Sequence, residues 1–152
     1  MTYHYLGIDV GTSGARACLI DADARVIDTA YTPLPAPRRD GARCEQDSLL
    51  WWQAVERVLD ELAGRRDLGS VIALALDATS ATLLACAEDG EPLGPALMYN
   101  DRRAEHEAAR IAAVAPAASG AHGAHSSLAK ALWLATHPVT GPARWWLHQA
   151  DW

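Results

Sequence analysis

The stretch Leu6-Gly7-Ile8-Asp9-Val10-Gly11-Thr12-Ser13-Gly14 holds the residue types and spacing that could do chemistry. A short apolar run delivers a carboxylate, Asp9, and passes at once into a turn of glycines and hydroxyls. Glycine lets backbone N–H groups approach an anion closely, and Thr12 and Ser13 add hydroxyl donors. Phosphate oxygens need such donors, and Mg²⁺ needs a nearby carboxylate, often through a retained water. Neither G-x-G-x-x-G nor G-x-x-x-x-G-K-[ST] occurs, so the dinucleotide and P-loop phosphate sites are not supported. Alone, D-x-G-T would read as a solvated turn; set between two strands, it reads as a phosphate and metal site. A fainter echo, Asp77-x-Thr79-Ser80, stands at the end of another apolar run, where open α/β sheets bind ligands.

The elements that must position these residues can be read from periodicity and breakers. Tyr5 to Val10, Ala15 to Ile20 and Arg25 to Tyr31 read as a strand meander, with Asp21 to Ala24 as a polar turn. Pro33, Pro35 and Pro37 then end the third strand and make an extended linker. A helix starts after Asp47 or Ser48, either of which can cap it; Trp51/Trp52, Val55, Val58/Leu59 and Leu62 form its apolar stripe, and Gly64 stops it. Ser70 to Leu76 is nearly all apolar, as in a strand buried on both faces. A hairpin follows, from Thr82 to Ala87 and from Pro95 to Tyr99 around Asp89-Gly90. Arg102 to Val114 reads as a helix with Asp101 as a candidate N-cap, and Ser126 or Ser127 opens another that stops before Pro138. The aromatic segment from Arg144 to Trp152 has no stop signal after it, and the chain is expected to be cut from something longer.

Composition bounds the rest. With 152 residues, 50% hydrophobic and 21% charged, the chain can bury the core of one ordinary domain. The net charge of −6 is shared equally by the two halves, with no basic face for a nucleic acid. No apolar run spans a bilayer and no secretory leader is evident, so no membrane partner and a cytoplasmic location are expected. Cys18, Cys44 and Cys86 are odd in number and far apart; they read as reduced thiols, with Cys18 and Cys86 as small core residues. Twelve arginines to one lysine reads as codon bias, and that lysine, Lys130, as a helix-surface charge.

Gly7 to Ser13 is similar to the first phosphate motif of the FGGY carbohydrate kinases, in the actin, hexokinase and heat-shock ATPase superfamily. Leu49-Leu50-Trp51-Trp52 resembles that family's D-x-x-x-W-W helix opening. Ala96 to Arg103 resembles its sugar-binding W-x-D-x-R segment, with Tyr99 in place of Trp, and Leu147 to Trp152 its L-x-x-x-D-W stretch. The resemblance covers essentially the whole chain. It implies an α/β, ribonuclease H-like mixed sheet with flanking helices, and places residues 1–152 in the first part of an incomplete N-terminal domain. It further implies ATP and Mg²⁺ as cofactors: Asp9 would hold Mg²⁺ through water, Gly11, Thr12 and Ser13 would line the phosphate path, and Arg16 matches a basic position beyond the turn. Asn100 and Asp101 would hydrogen-bond sugar hydroxyls, since a polyol needs paired donors and acceptors.

Departures from the family pattern refine the expectation. The aligned stretch Asp77 to Thr82 replaces the S-G-Q-x-H-G of xylulokinase-like members, so Ala81 stands where they carry a sugar-contacting His. The D-x-T-S-x-T form is closer to ribulokinase-like members, with Ser80 as a sugar contact; by itself it is also ordinary turn chemistry. The implied activity of the complete protein is ATP-dependent phosphorylation of a small sugar, a ketopentose such as D-ribulose or D-xylulose, with a homodimer as the expected assembly. The catalytic Asp of a later D-x-G motif and the adenosine pocket are expected beyond Trp152. The alternative is a truncated non-catalytic remnant or sugar-binding fragment, and a further reading keeps an ATPase without sugar.

Overall fold

The computed structural model describes residues 3–137 and 141–152; Pro138, expected to stop the last helix, lies outside them. In chain order the elements are β1 (His4–Gly11), β2 (Gly14–Asp21), β3 (Val26–Pro33), β4 (Arg38–Asp40), β5 (Arg43–Gln46), α1 (Leu49–Ala63), β6 (Val71–Ala78), β7 (Leu83–Cys86), β8 (Ala96–Leu97), α2 (Glu105–Ala112), α3 (Ser127–Thr136) and β9 (Trp145–His148). They fall into two compact units. One holds the residues up to Ala36 with Leu49–Thr79, the other Pro37–Ser48 with Ser80–Trp152.

The first unit is built on a four-stranded sheet in the order β3-β2-β1-β6. The meander pairs antiparallel, whereas β6 returns parallel to β1, so the sheet is mixed as expected. Alternation along β1 sends Leu6, Ile8 and Val10 into the core and leaves Tyr5 and Asp9 outside. Helix α1 answers with Trp51, Ala54, Val55, Val58 and Leu62, while Trp52 points to solvent. Gly64 follows its last residue, as expected. Of the two residues read as its cap, Ser48 has a buried Oγ with no hydrogen-bond partner, so its hydroxyl does not cap the helix.

Strand β6 departs from the sequence reading. Ile72, Leu74 and Leu76 are 55%, 56% and 43% exposed, not buried on both faces. The register explains it: Leu74 and Leu76 stand beside Leu6 and Ile8 on the helix-covered side, but α1 packs chiefly on β2 and β3. An edge strand beyond the helix keeps its apolar side chains in water.

The second unit is a five-stranded antiparallel sheet in the order β4-β5-β8-β7-β9. The hairpin expected around Asp89-Gly90 is present as Cys86 facing Pro92 and Leu83 facing Leu97, with Gly90 at φ +88°. Three of its strands were not anticipated. The proline stretch ends β3 at Pro33 and runs without regular structure to Pro37 as expected, but the β4–β5 hairpin, closed by Gly41 at φ +56°, follows it, and the Trp145–Trp146 segment pairs with β7. Both tryptophans are exposed, so neither is core. Leu83, Ala85, Leu97 and Leu134 form one buried cluster, and Ala104, Ile111 and Ala129 another. Ser126 caps α3, its Oγ accepting from the Ala129 amide at 3.2 Å. Helix α2 is shorter than expected and has Ala104 as its N-cap, so Asp101 does not cap it.

Candidate functional site

In the first unit, β1 carries Asp9 outward and ends at Gly11. Thr12 and Ser13 make a two-residue turn, and β2 returns with Gly11 facing Gly14. The two outer glycines differ physically. A Cβ on Gly14 would collide with the Tyr31 ring and come within 2.7 Å of the Thr32 carbonyl oxygen, so packing alone demands glycine there. A Cβ on Gly11 would meet nothing closer than Arg16 Nη1 at 3.5 Å. Among the described residues no close packing requires glycine at 11, and the backbone of this turn lies open to a group from outside.

Beside this turn a cation and a carboxylate face each other. Arg16 Nη1 lies 3.1 Å from Asp9 Oδ2, both side chains are about half exposed, and the guanidinium sits over the Tyr31 ring. Such an exposed pair holds its partners loosely, at about 0–1 kcal/mol. The Ser13 carbonyl accepts from the Leu34 amide at 2.9 Å and from the Tyr31 hydroxyl at 3.0 Å, which anchors the turn from behind. Asp77 stands in register with Asp9 on the parallel strand β6. Both open onto a groove of about 400 Å³ floored by Gly7 and flanked by Cys18 and Ala75. Cys18 is thus half-buried beside this groove rather than a core residue. The donor set fits a Mg²⁺-bound phosphate: a reachable carboxylate, an arginine, hydroxyls and an open glycine turn.

In the second unit, two turns carry the other expected residues. Ser80 is exposed and precedes Ala81, whose φ of +59° lies in the left-handed region that L residues rarely adopt. At the other turn Asn100 has a buried Oδ1 without any hydrogen-bond donor, an acceptor still to be filled. Asp101 is fully buried. Its carboxylate accepts from the Cys44 amide at 2.6 Å and from the Arg103 amide, Nε and Nη2, the last at 2.7 Å. Arg103 also pairs with Glu45 at 2.7 Å and lies over the Trp133 ring. A buried charge survives only when so paired, and this network locks the turn that presents Asn100.

Lys130 was misread from sequence. It is fully buried, and Nζ donates to the carbonyls of Ala81 at 2.8 Å and Met98 at 2.7 Å. Desolvation pushes its ammonium down to about 8, with Asp101 pulling the other way. The missed signal was its place on an apolar helix face, one turn before Leu134.

Residues 4–137 match the family described as "FGGY family of carbohydrate kinases, N-terminal domain". The chain belongs to that family. As an FGGY carbohydrate kinase sequence it is 33% identical over 114 residues to the xylulose kinase of Escherichia coli K12, covering 74% of this chain and 23% of that one. To a glycerol kinase of Synechocystis it is 29% identical over 106 residues, covering 68% and 21%. Among solved structures, the "xyloylose kinase" of Brucella ovis superposes with a TM-score of 0.89 at 25% identity, over 98% of this chain and 33% of that one. A ligand-bound xylulose kinase from Lactobacillus acidophilus gives 0.83 at 21% identity, over 97% and 31%. This FGGY chain therefore has the actin-like ATPase fold, in part. It matches under a quarter of the length of these curated relatives and about a third of the solved ones.

Proposed function

We propose that this chain is the first part of the N-terminal domain of a kinase that transfers phosphate from ATP to a small sugar, a ketopentose such as D-ribulose or D-xylulose. The remainder of that domain and a C-terminal ATP-binding domain would belong to the complete protein. Gly11 carries the reading: it is a glycine without an internal packing reason, at the end of a strand that presents Asp9. Two xylulose kinases and an apulose kinase among the relatives support a sugar acceptor, but glycerol kinases stand beside them, so the acceptor is chosen on the local residues.

The roles follow from placement. Gly11, Thr12 and Ser13 bind and orient phosphate oxygens, and Asp9 holds a hydrated Mg²⁺. That ion would neutralise phosphate charge as it shifts during transfer. With Asp9 holding that ion, Arg16, whose exposed pairing with Asp9 is loose, would be available to phosphate. On the sugar side, Asn100 Oδ1 accepts from a hydroxyl, Ser80 offers a hydroxyl of its own, and Asp101 holds the Asn100 turn in place. Ala81, where xylulokinase-like sequences carry a His, supplies no such contact, which favours a ribulose-type acceptor. The reading also expects a soluble cytoplasmic enzyme; no helix among the described residues is long and apolar enough to cross a membrane.

The test is a titration of the ¹⁵N-labelled chain with D-ribulose, D-xylulose and glycerol, followed by amide shifts. The proposal expects saturable shifts at residues 80–82 and 98–101 with a ketopentose and smaller ones with glycerol. Equal response to glycerol, or none to any of the three, would defeat the sugar assignment.

A further inference from the structure

Thirteen basic residues include a single lysine, and it is the one that is fully buried. Where the chain elsewhere uses arginine, position 130 holds a compact tetrahedral ammonium, which can point separate protons at separate carbonyls; a planar guanidinium fork cannot occupy the same space. The two carbonyls it meets lie 17 residues apart, in the two turns assigned to the sugar. Ala81 directly follows Ser80, and Met98 precedes Asn100 by two residues. The Met98 carbonyl also accepts from the Asp101 amide at 2.9 Å, so the ammonium caps the turn that presents Asn100. Ala81 holds a left-handed conformation without being glycine, and such strain persists only when the surroundings over-determine it. Lys130 is the group that grips its carbonyl. Asp101 and Glu45 balance Lys130 and Arg103, which leaves this interior electrically neutral.

We infer that Lys130 is a positioning residue: its ammonium ties the Ala81 turn to the Met98 turn and thereby sets the spacing of Ser80 and Asn100 for a polyol. The inference rests on the sugar reading for its ligand, but the clamp itself is independent of it.

Because the chain has one lysine, reductive methylation with formaldehyde and cyanoborohydride can modify only the N-terminal amine and Lys130. In the folded wild-type chain the terminus is expected to be dimethylated while Lys130 stays unmodified. Methylation of Lys130 at the rate of a free lysine would overturn the clamp. Lys130→Met should then shift the amide signals of residues 80–82 and 98–101 together and weaken D-ribulose binding at least tenfold. Leu62→Ala, which opens a core cavity in the first unit while both turns belong to the second, should destabilise the fold yet bind D-ribulose as wild type does. Unchanged affinity in Lys130→Met, or an equal loss in Leu62→Ala, would overturn the positioning role. Should Lys130→Met fail to fold, Lys130→Arg keeps the charge and is read in the same way, with the same tenfold loss expected. A wild-type chain indifferent to D-ribulose would defeat the sugar reading instead, while methylation and the paired amide shifts would still report on the clamp.

Discussion

Two glycines three residues apart illustrate how differently one residue type can be required. Gly14 is held by its neighbours: an added methyl would have to displace the Tyr31 ring and the Thr32 backbone. Gly14→Ala should therefore cost about 1–3 kcal/mol by overpacking, lowering Tm by several degrees. Gly11→Ala meets only ordinary contacts and should stay within about 0.5 kcal/mol of wild type. Differential scanning calorimetry of both variants checks the contrast. Asp28 supports a second residue-level prediction. Hydrogen bonds from Arg66 and Arg65 hold its carboxyl at about 2, below the ordinary aspartate value of about 3.9. A folded value below the unfolded one stabilises at pH above the unfolded value, and that contribution is lost as pH falls through the folded one. Asp28→Asn should accordingly flatten the loss of Tm between about pH 4 and pH 2, an effect that salt should shrink. An unchanged acid limb would refute the assignment. At this scale the turn between β1 and β2 was legible because its glycines and hydroxyls lie adjacent in the chain. Lys130 and Asp101 were not, since their partners Ala81, Met98 and Cys44 lie 32 to 57 residues away, where no local pattern reaches.

Among the elements, α1 and the opening meander follow from periodicity and breakers alone: the 3.6-residue stripe of Trp51, Val55, Val58 and Leu62 packs on the sheet, chiefly over β2 and β3. Strand β6 was read correctly as a strand and wrongly as buried. An apolar run reports the surroundings a strand is built for, and burial on both faces needs layers that this chain does not supply. The strands β4, β5 and β9 escaped notice because short, charged or tryptophan-rich segments carry little alternation, and their pairing partners are distant. The exposed side chains of β6 make a direct prediction. Leu74 and Leu76 sit at a free sheet edge, the kind of surface that recruits a second strand. Leu74→Ser with Leu76→Ser should cost the chain under about 1 kcal/mol and reduce its self-association, as measured by sedimentation velocity across a concentration series. A large loss of stability would mean that these side chains are covered in solution.

For the whole molecule, family and fold were readable because four short motifs recur in order, and the mixed sheet agrees with them. The split into two compact units was not foreseen: the proline stretch marks the first crossing at Ala36, but those at Ser48 and Thr79 fall at a helix start and a strand end with no breaker of their own. The proposed division of labour assigns the phosphate turn to one unit and the sugar turns to the other. Phosphoryl transfer depends almost wholly on positioning and charge neutralisation, so neither set of residues suffices alone. The most direct measurement is ADP release by the full product of the reading frame that encodes this chain, with ATP, Mg²⁺ and a panel of ketopentoses, glycerol and no acceptor. The account predicts turnover that requires a ketopentose and falls at least a hundredfold in Asp9→Asn. ADP release that ignores every sugar, or that survives Asp9→Asn unchanged, would contradict it.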